Sequence, residues 1–274
     1  MSDDEYEVVI AQYGTRSGHR SEVFLNYHIY GQDDAPIGMD YFVWIARNDE
    51  RTILVDTGFS AAGARNRNRT FVRELPEVYA ALGIDTDAEQ TVVLTHAHYD
   101  HIGNLDLFPR AQFVIAASEY AFWTGGLARR AQFRWSTEDA EIDSLRRAHA
   151  QGRVRTFHDR LELAPGVELL EIGGHTPGQS AVRVRTSEGD VLLASDAVHY
   201  YEEYEGDLPF AFVADLPKMY AGFDRVRELM TGGVAHLVSG HDPDTLNRFR
   251  MVDAGPLAGV AATIGTAGSR KGTA

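Results

Sequence analysis

Apolar residues along the chain gather into short runs separated by polar turns, a pattern that predicts strands more often than helices. The first candidates are Val8–Ala11 and Val23–Ile29. Tyr41–Ala46 and Thr52–Val55 flank Asn48-Asp49-Glu50-Arg51, which reads as strand, turn, strand, and the second run ends in Asp56-Thr57-Gly58. Thr91–Thr95 is a buried-type strand that leads directly into His96, and Gln112–Ala116 is another, with Ser118 as the expected N-cap of a following helix. Further strands are predicted at Arg153–Phe157, Val167–Ile172, Ala181–Arg185, Val191–Ala194 and, last, Ala235–Ser239. Ser187-Glu188-Gly189-Asp190 supplies a hairpin turn between two of them. Helical spacing covers Glu74–Leu82, stopped by Gly83, part of 124–150, and 216–230. The Arg- and Asn-rich stretch 60–73 is expected to be a loop.

No repeat of fixed period and no internal linker interrupts this series, so residues 1–274 are expected to form one domain. The Gly-, Ala- and Thr-rich tail from about 255 is expected to be loosely ordered. With 44% hydrophobic and 24% charged residues the composition is that of an ordinary globular protein. The absence of cysteine removes disulfides, thiolate ligands and a thiol nucleophile. Met1-Ser2-Asp3-Asp4-Glu5 lacks the basic start and apolar run of a secretory signal, and no apolar stretch is long enough to span a bilayer. A cytoplasmic protein without membrane partners is the expectation. A net charge of −14 repels phosphate backbones, so nucleic acid is not expected as a partner.

The chemistry concentrates in His96-Ala97-His98-Tyr99-Asp100-His101, just after a predicted strand. In extended chain, residues i and i+2 share a side, so His96 and His98 can grip one cation. A turn into a short helix starting near His101 would then carry Asp100 and His101 to a second position. A lone histidine is more often structural than ligating. Three imidazoles and a carboxylate this close would repel or lose solvation without a cation. Neutral imidazole and carboxylate suit zinc better than magnesium or calcium. Three more candidates sit at predicted strand ends on Gly-containing turns: His175 in Gly173-Gly174-His175-Thr176-Pro177-Gly178, Asp196 after Val191–Ser195, and His241 in Ser239-Gly240-His241-Asp242.

The set THxHxDH, GGHTPGQ, SDA and SGHD, spread over Asp56 to His241, resembles the metallo-β-lactamase superfamily, and most of all its branch of N-acyl-homoserine lactonases and 4-pyridoxolactonase. The resemblance implies an αββα sandwich, two mixed β-sheets flanked by helices, with metals at one end. It also implies His96, His98 and His175 on one zinc, Asp100, His101 and His241 on the other, and Asp196 bridging. Asp56 would orient a ligand histidine. By family analogy a homodimer is expected.

Each metal would keep an open position, and two such ions can share a hydroxide able to attack a carbonyl. Asp100 is the candidate proton carrier. Lactonases of this branch often place a tyrosine three residues after the bridging aspartate; here the position is His199, so His199 or Tyr200 is the candidate for a contact to the substrate carbonyl. Wall candidates are Met39, Tyr41, Phe42, Phe122, Trp123, Phe133, Trp135, Phe210 and Phe212, with 199–213 as the candidate lid. The expected activity is opening of a lactone, an N-acyl-homoserine lactone or a related cyclic carbonyl compound, with two Zn2+ or in their place Mn, Fe or Co. A cyclic amide, imide or thioester hydrolase and a non-catalytic metal-binding protein are the alternatives.

Overall fold

The structure, a computed structural model, describes residues 4–266. Its strands are β1 Glu7–His19, β2 Pro36–Arg47, β3 Thr52–Val55, β4 Thr70–Phe71, β5 Thr91–Val93, β6 Gln112–Ala116, β7 Val154–Phe157, β8 Arg160–Ala164, β9 Val167–Glu171, β10 Ser180–Thr186, β11 Gly189–Ser195, β12 Val234–Ser239, β13 Arg250–Met251 and β14 Ala261–Ile264. They form two mixed sheets. One runs β13-β14-β1-β2-β3-β5-β6-β7 with β4 also on β1, and the other runs β12-β11-β10-β9-β8.

Side chains alternate across each strand, and this alternation builds the layers. Val8 and Ile10 of β1, Phe42 and Trp44 of β2 and Val114 of β6 meet Leu169, Val182, Val184, Val191, Leu193 and Val238 of the second sheet in a core between the sheets. The opposite faces, Val9 and Ala11, Tyr41 and Val43, Phe113 and Ile115, pack on helix residues Val78, Tyr79, Ile142 and Leu145. Leu170, Ala181, Leu192 and Ala194 on the outer face of the second sheet pack on Val226 of the helix Leu216–Thr231. Strands buried on both faces explain the near-continuous apolar runs. The result is the expected αββα sandwich.

Four expectations change. Val23–Ile29 is not a strand: Asn26 takes a left-handed φ of 50° and the segment breaks into a helical turn, Arg20–Val23, and a 3-10 turn, Tyr27–Tyr30. Residues 60–73 contain a helix, Ala61–Arg67, whose N-cap Ser60 accepts from the Gly63 amide and whose C-cap Asn68 is left-handed. Ser118 lies inside the helix Ala117–Trp123 and its hydroxyl donates to Glu171 instead of capping. The tail is not loose from residue 255: β14 pairs with β1, Val8 opposite Ile264, and Ala261, Ala262 and Ile264 are buried. Small side chains let this strand pack tightly, and Ala235–Ser239 is therefore not the last one. The residues beyond 266 lie outside those described.

The helix Asp139–Ala150 carries a buried carboxyl, Glu141, whose Oε1 accepts from the Ser60 hydroxyl at 2.7 Å. Burial pushes its pKa from 4.5 up to about 8, with Glu138 adding to the rise and Ser60 and Arg67 opposing it. A raised carboxyl pKa means the folded state binds the extra proton between about pH 4.5 and 8, so this group's contribution to stability falls as pH climbs through that window. Glu141→Gln should melt above the unsubstituted protein at pH 8, with the difference shrinking toward pH 5; thermal melts across that range check it, and a difference independent of pH would refute it.

Candidate metal centre

The histidines and aspartates of the motifs sit at one rim of the sandwich because five strands end there. β3 ends at Asp56, β5 leads to His96, β9 to His175, β11 to Asp196 and β12 to His241. Such carboxyl ends are where distant residues of mixed sheets converge. His98 is the N-cap of a single helical turn, Tyr99–Ile102, which swings Asp100 and His101 away from His96 and His98. That turn begins two residues before the position expected for it.

Two donor groups result. One ligand atom each from His96, His98, His175 and Asp196 lie within 4.8 Å of one another, and so do those from Asp100, His101 and His241. Asp196 reaches both: Oδ2 is 3.6 Å from His96 Nε2 and 3.4 Å from His175 Nε2, whereas Oδ1 is 3.3 Å from His101 Nε2 and 3.1 Å from His241 Nε2. All seven residues are buried.

The residues fit a pair of divalent cations on their own chemistry. His96 Nε2, His98 Nε2, His101 Nε2, His175 Nδ1, His241 Nε2 and Asp196 Oδ1 are buried without a hydrogen-bond partner among the described residues. Buried polar atoms are nearly always paired, and so many orphans in one cluster indicate cations as their partners. Burial, assisted by neighbouring imidazoles, pushes His96, His98 and His175 well below the usual histidine range, towards the neutral state a ligand needs. Burial acts the same way on His101, but Asp196, Asp56 and Asp100 outweigh it and hold that ring above the usual range. Asp196 is held well below the usual carboxylate range: burial raises it, and His241, His101 and His199 overcome the burial.

Outer contacts aim the rings. His101 Nδ1 is 2.7 Å from Asp56 Oδ2, the role expected of Asp56, and His241 Nδ1 donates to the Asp40 carbonyl at 2.8 Å. Asp56 also accepts from the Thr95 amide and hydroxyl, each at 2.8 Å. Glu119, which the sequence reading passed over, is fully buried and accepts from the amides of Ala97 and Gly178 and from Trp123 Nε1. It therefore ties the His96–His98 loop to the loop of His175. Gly240 has no room for a side chain: a Cβ there would lie 2.8 Å from Asp196 Oδ1.

Of the other candidates, Tyr200 is buried, its hydroxyl donates to the Gly38 carbonyl at 2.9 Å, and it does not line the cavity over the cluster. Its hydroxyl is thus engaged with the backbone of β2 and not presented to that cavity. His199 is also fully buried and outside that lining, stacked on Phe210 at 3.9 Å between centroids. Its Nδ1 lies 3.0 Å from Glu203 Oε2 and its Nε2 3.1 Å from Asp196 Oδ2, so it adjoins the cluster and not the cavity. Burial lowers the His199 pKa, but Glu203 and Asp196 outweigh it and push it up to about 9. The cavity wall contains Met39, Tyr41, Trp135, Phe210 and Phe212 of the expected aromatic set, whereas Phe42 faces the inter-sheet core and Trp123 packs on His98. Phe122 and Phe133 pack beside the helix-side core and do not line it. The expected lid is pinned: Ala211 donates to Val23, Leu25 to Pro209, and Ala214 to Gly174 and His175.

Four layers with paired donor groups at one rim define a protein built to hold two divalent ions. The chain belongs to the metallo-beta-lactamase superfamily, whose profile matches residues 37–241. N-acyl homoserine lactonase AiiA of Bacillus thuringiensis subsp. kurstaki is 24% identical over 221 residues, 75% of this chain and 82% of that one. N-acyl homoserine lactonase AttM of Azorhizobium caulinodans is 29% identical over 182 residues, 62% of this chain and 64% of that one. A solved quorum-quenching N-acyl homoserine lactone lactonase shares the fold with a TM-score of 0.76 at 20% identity, covering 91% of this chain and 98% of its own. AidC, described as a dizinc quorum-quenching lactonase, does so at 0.69 and 18%, covering 97% and 96%.

Replacing Glu119 by Gln turns one of its acceptor oxygens into a donor and breaks the tie between the two loops. Metal affinity should fall about 10- to 100-fold, the scale usual for outer contacts of a metal site. A competition titration with a chromogenic chelator measures it; unchanged affinity would show that Glu119 serves packing alone.

Proposed function

We propose that this protein opens the ring of a lactone by hydrolysis, with His96, His98 and His175 holding one zinc, Asp100, His101 and His241 the other, and Asp196 shared between them. The observation that carries this reading is a single cavity in which His98, Asp100, His175, Asp196 and His241 share the lining with Met39, Tyr41, Tyr99, Trp135, Phe210 and Phe212. Donor atoms at the floor and apolar rings on the walls suit a small ester with an organic substituent. The lactonase names of its relatives agree with that chemistry. Among metals, zinc fits a set of neutral imidazoles and carboxylates.

When bound, divalent ions would supply Lewis-acid polarisation of a carbonyl and a water activated near neutral pH. The remaining work falls to side chains. Asp100 is the carboxylate of the set that faces the cavity from a helical turn, its Oδ1 3.8 Å from His101 Nε2 and its Oδ2 3.8 Å from His241 Nε2. There it can accept a proton as the ring opens and return it to the leaving oxygen. His199 Nε2 lies 3.1 Å from Asp196 Oδ2, and His199 is fixed by Glu203, which accepts from the amides of His199 and Phe210 at 2.6 and 2.9 Å. Phe210, Phe212 and Trp135 keep water from the organic part of the substrate, with Trp135 and Phe212 5.7 Å apart at ring centroids.

A pH-stat panel of lactones on zinc-loaded protein tests the reading, with N-acyl homoserine lactones, thioesters, cyclic amides and β-lactams run alongside. Lactones should be opened fastest, and Asp100→Asn should lose at least about a hundredfold in rate. Turnover of thioesters or cyclic amides in preference to lactones would replace the proposal, and near-normal turnover by Asp100→Asn would remove Asp100 from the mechanism.

A further inference from the structure

The same cavity holds two guanidinium groups, Arg16 and Arg69, that no part of the hydrolytic chemistry uses. Arg16 lies on β1 and Arg69 immediately before β4. The two strands pair antiparallel, Gly14 opposite Phe71 and Thr15 opposite Thr70, so the next step of that register sets Arg16 against Arg69. Like charges facing each other across strands are destabilising unless an anion lies between them.

Neither arginine has a carboxylate partner among the described residues. Arg16 Nε donates to Met39 Sδ, and Arg69 donates from Nε to the Tyr99 hydroxyl at 2.9 Å and from Nη1 to the Arg67 carbonyl. Tyr99 reaches Tyr41, and Tyr41 reaches Met39, so one chain of contacts along the wall holds both groups in place by their inner nitrogens. Arg16 Nη1 and Nη2 and Arg69 Nη2 have no hydrogen bond to the described residues. Many arginines of this acidic chain do pair with carboxylates, as Arg20 does with Glu202, Arg47 with Glu7 and Arg67 with Glu138. Arg65, Arg129, Arg130 and Arg155, which have no ion pair among the described residues, are exposed, whereas Arg16 and Arg69 are half-buried in the cavity wall. The acids that share the lining are committed elsewhere. Asp100 and Asp196 belong to the metal groups, and Glu22 accepts from the His19 amide at 3.3 Å.

We propose that Arg16 and Arg69 form an oxyanion subsite, so that the substrate is a lactone carrying an anionic substituent, a carboxylate or a phosphate, away from the ring carbonyl. The lactone half of this statement rests on the function proposed above; the subsite itself rests on the arginines. A guanidinium fork matches such oxyanions: the free Nη1 and Nη2 of Arg16 can take one bidentately, and the free Nη2 of Arg69 adds a further charged hydrogen bond.

The test compares a γ-butyrolactone bearing a side-chain carboxylate with its methyl ester and with a phosphate-bearing counterpart, on metal-loaded protein. In an Arg16→Gln/Arg69→Gln variant the charged-over-neutral ratio of kcat/KM should fall about 10- to 100-fold, the scale of hydrogen bonds to a charged group. Arg16→Lys and Arg69→Lys, tested singly, should recover part of the ratio and keep the test alive should the double variant not fold. The carboxylate and phosphate arms show which oxyanion is preferred. Calorimetry with glutarate gives a readout that needs no turnover, and its affinity should drop by a similar factor in the glutamine variant. Loss of glutarate binding in a protein that opens no lactone would uphold the subsite and remove the lactone. Glutarate binding and a charged-over-neutral ratio both unmoved by the substitutions would overturn the subsite.

Discussion

Imidazole nitrogens and carboxylate oxygens buried without hydrogen-bond partners among the described residues are the constraint around which this molecule is arranged. A buried donor or acceptor left unpaired costs about 1–3 kcal/mol, and more when charged. The cluster around Asp196 contains several at once. A fold can keep such a cluster only where cations compensate it, which makes metal binding and folding parts of one equilibrium here. The surroundings then read as devices that keep lone pairs aimed inward. Asp56 and the Asp40 carbonyl hold the Nδ1 atoms of His101 and His241, and Glu119 fixes the backbone between His96 and His98.

The two donor groups also explain why two sheets are needed. His96, His98, Asp100 and His101 follow a strand of the first sheet, whereas His175, Asp196 and His241 follow strands of the second. The inter-sheet core of Trp44, Ile10, Leu169, Val182 and Leu193 fixes the spacing of the two rims, so it also fixes the separation of the two donor sets. Backbone bonds stitch the rims where they meet: Ser180 donates to Thr95, and Asp40 to His241. A change in this core would be felt at the metals before it was felt at the surface, because close-packed interiors transmit small displacements.

This division explains what could be read from the sequence. The His96–His101 group was legible because its members are adjacent in the chain and their spacing already encodes two directions. His175, Asp196 and His241 were legible because each follows an apolar run on a glycine-bearing turn, and the sandwich followed from the same runs. Local signals were also present where the reading went astray. Ser60 and Asn68 bracket a helix that the Arg- and Asn-rich composition concealed, and Asn26 breaks an apolar segment that otherwise looks extended. The strand Ala261–Ile264 was hidden for a different reason: small residues look like a linker until a partner strand buries them. Glu119, Glu203, Arg16 and Arg69 had no local signal at all. Their partners lie in other elements, and only tertiary pairing turns an unremarkable acid or base into part of a site.

Charge arranges the cavity on two scales. The surface as a whole is acidic and slows the approach of anions by long-range repulsion. Inside the cavity the balance reverses. Once Asp100 and Asp196 face metal ions, the remaining fixed charges of the lining are Arg16, Arg69 and Glu22, together with the ions themselves. A field that is repulsive outside and attractive inside does not favour anions in general. It favours those whose apolar part can enter first along Tyr41, Trp135, Phe210 and Phe212 and whose charge then finds the guanidinium pair. Affinity for the metals and selection among esters are thus supplied by different residues on different strands. The first set is tied to the inter-sheet core, and the second to the β1–β4 edge, so substitutions at that edge can retune what is bound without disturbing the ions that act on it.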